Sequence, residues 1–203
     1  MLKNQLKSRE LAFLENHGAK DLSAETARAI NEKRIILEDE PLYVRTRIGT
    51  AGGIDLLTSD LVEKVGLTNI DRQRLPKFVN FIIDSIQFGY SIAAAVDNRK
   101  PNEVDYTSLV DQVPSALRHA NLVISQNDKP ILTLPVKSLL QQEKIRGYEG
   151  KAGYQLKYPR MLKEDVSFQI SIKFPNDATL DIAEHHFVEV ILNGTRTKLR
   201  GNA

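Results

Sequence analysis

Asp165-Val-Ser-Phe-Gln-Ile-Ser-Ile-Lys-Phe-Pro175 decides the class of the fold. Val166, Phe168, Ile170, Ile172 and Phe174 alternate with Ser167, Gln169, Ser171 and Lys173. A period of two sends the first set to one face of a strand and the second to the other. Pro175 stops the ladder because it has no N–H to donate. A second run, Phe187-Val-Glu-Val-Ile-Leu192, ends in Asn193-Gly194, a pair that tolerates the positive φ of a tight hairpin turn. Two strands with one apolar face each must bury it, most simply against a second sheet. The expectation is a mainly β chain, an antiparallel β-sandwich with an N-terminal helical extension and a few short helices.

Outward from this pair, the chain reads as follows. Leu2, Leu6, Leu11, Phe13 and Leu14 have helical spacing, and Gly18 is a stop. Ser23 caps a second helix over Ala24–Ile36, with Glu25 in its first turn. The helical pair either covers the open end of the β-domain or grips a neighbouring subunit. Leu42–Ile48 alternates as a strand. Gly49-Thr-Ala-Gly-Gly53 lacks the Lys-Ser/Thr ending of a phosphate loop and reads as a flexible connection. Leu56–Leu67 reads as a short helix stopped by Gly66. Phe78–Ala95, rich in β-branched and aromatic residues, favours strand, with Gly89 marking a bulge or bend. The four-residue spacing of Phe78, Ile82, Ile86 and Tyr90 leaves a helix open for part of it.

Asp97–Asn102 is a turn cluster, and Pro114-Ser115 can start a helical turn. Asn121–Ser125 and Pro130–Pro135 form a hairpin about Gln126–Lys129. Val136–Arg146 reads as helix and Tyr154–Tyr158 as strand. No repeat and no Pro/Gly/Ser linker divides the chain. The organisation expected is a helical arm over 1–40 and one β-domain over 41–203.

The chain has 203 residues, enough for one good core. Its net charge of +2, with both signs interspersed, argues against a dedicated nucleic-acid binder. It has no cysteine, which excludes disulfides, thiolate metal sites and a thiol nucleophile. The N-terminus lacks the apolar core of a secretory signal. The polar residues within Phe78–Val96 argue against a spanning helix, so a soluble protein made in the cytoplasm is expected.

No constellation in the sequence carries catalysis. Of His17, His119, His185 and His186, only the adjacent pair beside Glu184 invites a metal. Neighbours in a strand point to opposite faces and do not share one there. No Gly-x-Ser-x-Gly elbow occurs. Asp177 with Asp181, and Glu38-Asp39-Glu40, read as solvated loop carboxylates. Arg196, Lys198 and Arg200 share one strand face. They suit phosphates of nucleic acid or lipid, or an acidic neighbour, or they form a charged edge that discourages strand pairing. No catalytic residue, metal, cofactor or small-molecule substrate is expected.

Asn121–Pro135, the strand from Pro159 to Pro175, and Val188–Arg200 resemble successive strands of jelly-roll capsid proteins of tailless icosahedral phages. The membrane-containing adenovirus–tectivirus lineage is included in that likeness. The resemblance runs from Asn121 to the C-terminus and more loosely over Pro76–Val96. It implies a virion structural protein, a coat, penton or minor capsid subunit, assembled in the host cytoplasm. Its partners would be copies of itself, other capsid proteins, and a viral membrane or genome met through basic residues. Double jelly-roll coats are usually longer, so this length suits a single jelly roll. Two alternatives stand beside it. A carbohydrate- or receptor-binding β-sandwich would need an aromatic platform, drawn from Tyr90, Tyr106, Tyr148, Tyr154 and Tyr158. A cupin-like enzyme would need a metal held by His119 with His185 or His186.

Overall fold

A computed structural model describes residues 12–14, 22–141 and 153–200. Its elements are α1 (Ala24–Asn31), β1 (Ile35–Asp39), β2 (Leu42–Ile48), β3 (Gly53–Asp55), β4 (Phe81–Ala94), α2 (Ser115–Arg118), β5 (Asn121–Gln126), β6 (Lys129–Pro135), α3 (Val136–Leu139), β7 (Tyr154–Leu162), β8 (Phe168–Lys173) and β9 (Glu184–Leu199). One sheet runs β1-β9-β4-β7, with β2 also paired to β9; the other runs β3-β8-β5-β6. Every strand pairing is antiparallel. The chain is mainly β and forms an antiparallel sandwich with few short helices, as the alternation predicts.

The pairings are nested. β2 pairs with β9, β3 with β8, β4 with β7 and β5 with β6. The chain therefore folds back on itself about the β5–β6 turn, where Asn127 and Asp128 take φ of 49° and 59°. Those left-handed angles are what a two-residue hairpin requires, and Asn and Asp tolerate them best after glycine. Cross-pairings of β4 with β9 and of β5 with β8 close the two layers. The opening stretch thus contributes its two strands to opposite sheets. Between the layers, Phe168, Ile170 and Ile172 meet Val188, Val190 and Leu192 in one core with Phe81, Ile83, Ile86 and Phe88.

β4 is a strand throughout, which resolves the helix alternative. Its inward set is Phe81 and Ile83, then Ile86, Phe88 and Tyr90, so the parity changes at Asp84. The register against both β7 and β9 shifts between Ile83 and Ser85, so Asp84 is the extra residue of a bulge. One added residue inverts which side chains face the core, and that inversion blurs the period of two in the sequence. Gly89 is not the bulge. A Cβ there would lie 2.9 Å from Tyr106 Cβ, so this glycine lets Tyr106 sit against the sheet.

Asn193-Gly194 does not turn the chain: β9 continues through it to Leu199. Gly194 lies opposite Ile83, beside the bulge, and a Cβ on it would be 1.9 Å from the Ile82 carbonyl oxygen. The glycine is there for close approach of two backbones, not for a turn. The helix expected over Ala24–Ile36 ends at Asn31. Lys33 takes φ 56°, and Ile35–Asp39 pairs with β9 as a strand, so residues before 41 enter the sheet.

Leu56–Leu67 forms turns instead of a helix. The Leu56 amide donates to the Ile170 carbonyl, Lys64 bridges Thr68, and Thr68 bridges Val44 of β2. The Leu56 amide goes to the sheet, while Leu61 and Leu67 donate to Thr58 and Lys64, three residues back, in turns that do not propagate as a helix. The helix from Val136 is one turn, α3, and residues 142–146 lie outside those described. The expected N-terminal helix is described over Ala12–Leu14, which is helical, and otherwise lies outside them. Among the described residues no helix is long and apolar enough to cross a membrane.

Replacing Gly194 by Ala should destabilise the fold by about 3 kcal/mol or more, since backbone cannot yield as a flexible side chain would. Urea unfolding should show a lower midpoint with an unchanged slope. A loss below about 0.5 kcal/mol would mean the two backbones can separate there at little cost.

Candidate functional site

β9 places His185 and His186 on opposite faces of its sheet. His186 is 1% exposed, with Nδ1 2.7 Å from the Tyr90 hydroxyl and Nε2 2.7 Å from the Asp181 carbonyl. A carbonyl only accepts, so Nε2 carries the proton, and in the neutral ring Nδ1 accepts from Tyr90. Burial, with Glu184 nearby, pushes the Tyr90 phenol well above its ordinary pKa, which keeps it a donor. Both nitrogens are thus engaged, and the assembly pins the 181–183 loop to β4. His185 sits edge-on to the Phe187 ring, 6.4 Å away. His119 ends α2, and His17 lies outside the described residues. Asp181 Oδ1 accepts from the Ala183 amide, and Asp177 occupies a turn at φ 62°.

The basic strip and the acidic cluster of the sequence are partners. Arg196 lies opposite Glu38 in register and reaches Glu38 at 3.2 Å and Glu40 at 2.6 Å. Lys198 reaches Glu38 at 3.1 Å, and Thr195 donates to Asp39 at 3.1 Å. Hydrogen bonds from Lys198 and Arg196 hold the Glu38 carboxyl below its ordinary pKa. These cross-strand pairs fix β1 to β9. The Arg200 amide donates to the Arg34 carbonyl. Gly49–Gly53 is the β2–β3 connection, whose Thr50 carbonyl accepts from the Leu180 amide.

The tyrosines form no common platform. Tyr90 is buried, Tyr154 is half-buried, and Tyr158 is exposed on β7. Tyr148 lies outside the described residues. Tyr106 donates to the Pro101 carbonyl and faces Arg45, whose guanidinium also lies over Tyr43 and reaches Glu189 at 2.5 Å. Burial, then Glu189, raises the Tyr106 pKa, against the opposing effect of Arg45.

One buried charge escaped the sequence reading. Glu164 accepts from Ser23 Oγ at 2.7 Å, from Thr26 Oγ1 at 2.5 Å and from the Phe78 amide. Its own amide donates to Asn80 Oδ1 at 3.0 Å. Burial pushes its pKa up, but the Thr26 and Ser23 hydroxyls and the Phe78 amide outweigh that and hold it below the ordinary value. Ser23 also caps α1 by accepting from the Thr26 amide. The carboxylate therefore sits at a helix N-terminus, where the dipole favours it. Lys77 adds a surface contact to Glu25 at 2.7 Å. These contacts clamp α1 to the end of the sandwich that carries Phe78 and Asn80. The signal available in the sequence was the Ser23 cap alone, because its partner lies 141 residues away.

Two surface features remain. At the opposite end, Val96 (90% exposed) and Ile182 (85%) stand on neighbouring connections, since Ala94 pairs with Glu184. On the outer face of β3, β8 and β5 lies a polar groove of about 390 Å³. Among the described residues no three of His, Asp and Glu converge as metal ligands. No family model matches the chain, and neither a curated protein nor a solved structure shows significant similarity to it.

A lowered carboxylate pKa adds stability that is present above about pH 4.5 and is lost as pH falls below that value. Glu164→Gln should therefore cost about 2 kcal/mol near neutral pH, and the gap to wild type should close on acidification. Urea midpoints measured from about pH 7 to pH 3 test this. A gap independent of pH would assign the loss to packing instead of charge.

Proposed function

We propose that the chain is a virion structural protein, a single jelly roll that assembles with copies of itself and with other capsid proteins into an icosahedral shell. The observation that carries this reading is the nested pairing. With β1 and β2 taken as one edge beside β9, eight positions run 1-8-3-6 in one sheet and 2-7-4-5 in the other. This order supports the reading, because a long hairpin rolled into two Greek keys, as in a jelly roll, would pair its strands in this way.

The winding brings alternate connections to one end, where Val96 and Ile182 offer apolar side chains to a neighbouring subunit. Each such contact is small, but a lattice engages several per subunit and their effects multiply. The clamped α1 gives the N-terminal arm a fixed point of departure. On this reading the protein acts by burying surface, not by turning over a substrate, and its place is the virion after assembly in the host cytoplasm. Arg196 and Lys198 are held by Glu38 and Glu40, so the contacts of that edge are internal to the sheet.

Light scattering across protein concentration and salt, with electron microscopy of the same samples, tests the proposal. Closed rings or shell-like particles are expected, and Val96→Asp with Ile182→Asp should shift the population towards monomer with an unchanged circular dichroism spectrum. A monomer under every condition would overturn it.

A further inference from the structure

We infer that β1 is an edge for strand addition by a second copy of this chain, so that two molecules share one continuous sheet across a two-fold axis. In an antiparallel ladder, residues that bond to the neighbouring strand alternate with residues whose N–H and C=O point away from it. The Arg200 amide donates to the Arg34 carbonyl, and this pair continues the register in which Ile35 faces Leu199. Ile36 and Glu38 therefore bond to β9, while Ile35, Leu37 and Asp39 turn their backbone groups outward. β2 follows the same register, and its outward groups are taken. The Tyr43 amide donates to Asn69 Oδ1, the Arg45 amide to the Leu67 carbonyl, and Thr68 Oγ1 to the Tyr43 carbonyl. Among the described residues nothing takes those of Ile35, Leu37 and Asp39.

The other edges are blunted. Pro130 and Pro135 lie in β6 and Pro159 in β7, and Arg160 Nε donates to the Ile131 carbonyl at 3.2 Å. β3 is only Gly53–Asp55. β1 contains no proline, and Ile36 on it is 36% exposed. Arg196 and Lys198 stay with Glu38 inside the sheet, so what this edge leaves open is its backbone.

The sequence names the occupant. Lys33-Arg34-Ile-Ile-Leu-Glu38-Asp39 runs from basic through apolar to acidic. Turned about a two-fold axis at Ile36, it is its own complement, as the interface of a symmetric dimer must be. Ile36 then faces its own copy, Ile35 faces Leu37 of the second copy, Arg34 faces its Glu38, and Lys33 faces its Asp39. Opposite charges facing across strands stabilise a pairing and like charges oppose it. Ile35 and Leu37 carry the outward backbone groups, so this register also closes a pair of N–H···O bonds on each side of the axis. A slip by two residues would set Ile36 against Glu38 or against Arg34, and a slip by one would turn the bonding groups away. Arg34 also holds Glu32 at 2.6 Å and Glu38 holds Lys198 at 3.1 Å. A guanidinium has several N–H donors and a carboxylate several acceptor sites, so both keep capacity for a neighbour.

This dimer does not depend on the proposed shell, and the two fail separately. In full-length protein carrying Val96→Asp and Ile182→Asp the shell contact is removed and the β1 edge remains. Sedimentation equilibrium of that variant should show monomer and dimer with a Kd of about 10 μM, weaker at high salt. The Ile35 and Leu37 amides should become protected from hydrogen exchange as concentration rises. In the same background Lys33→Glu and Asp39→Lys, both at exposed positions, should each weaken association about tenfold with an unchanged circular dichroism spectrum, because each sets like charges face to face. An equal mixture of the two should restore association, since the mixed pair again has opposite charges facing at both ends. The inference is overturned if the double variant is a monomer at about 1 mM. It is equally overturned if the dimer leaves the Ile35 and Leu37 amides unprotected, or if the mixture associates no better than either charge variant alone.

Discussion

The contact on which this fold depends is the approach of two backbones at Gly194 and Ile82. β9 is bordered on one side by β1 and then β2, and on the other by β4 along nearly its whole length. A strand shared in this way must keep one register over many residues. The bulge at Asp84 lets β4 do so while its inward face changes parity, and Gly194 is the residue small enough to sit against it. Without that accommodation, either Phe81 and Ile83 or Ile86 and Phe88 would leave the core.

How far the fold was legible follows from the range of the forces involved. The alternation over Phe168–Phe174 and the Asn127-Asp128 turn are local, and both appear in the structure as the sequence predicts. Asn193-Gly194 carries the same local chemistry as a turn, and only the partner strand reveals its other use. Leu56 and Leu57 looked helical because apolar spacing says nothing about which carbonyl accepts each amide; here Ile170 supplies one of them. Ile35 and Ile36 followed a capped helix closely enough to be read as its last turn, yet these β-branched residues pair with the end of β9.

The candidate sites divide along the same line. The acidic and basic clusters were both visible, but their pairing spans 158 residues and could be seen only once the strands were in register. The opposite-face reading of His185 and His186 needed only the strand period, and β9 supplies it. Glu164 had no motif to mark it. Its meaning lies in burial, and burial is a property of the assembled layers. The sandwich thus carries three distinct surfaces: an end clamped to α1 through a buried carboxylate, an end with exposed Val96 and Ile182, and an outer sheet face with a polar groove. The first organises the molecule itself.

The central claim is that β9 is the spine of the structure, and native-state hydrogen exchange tests it most directly. The amides of Phe187–Leu192 that donate within the ladder should exchange last, at the rate set by global unfolding, with those of the short edge strand β3 opening far earlier. If the β9 amides exchange as readily as those of β3, while β5 and β8 remain protected, the fold is held by the other sheet and the account given for Gly194 and the bulge fails.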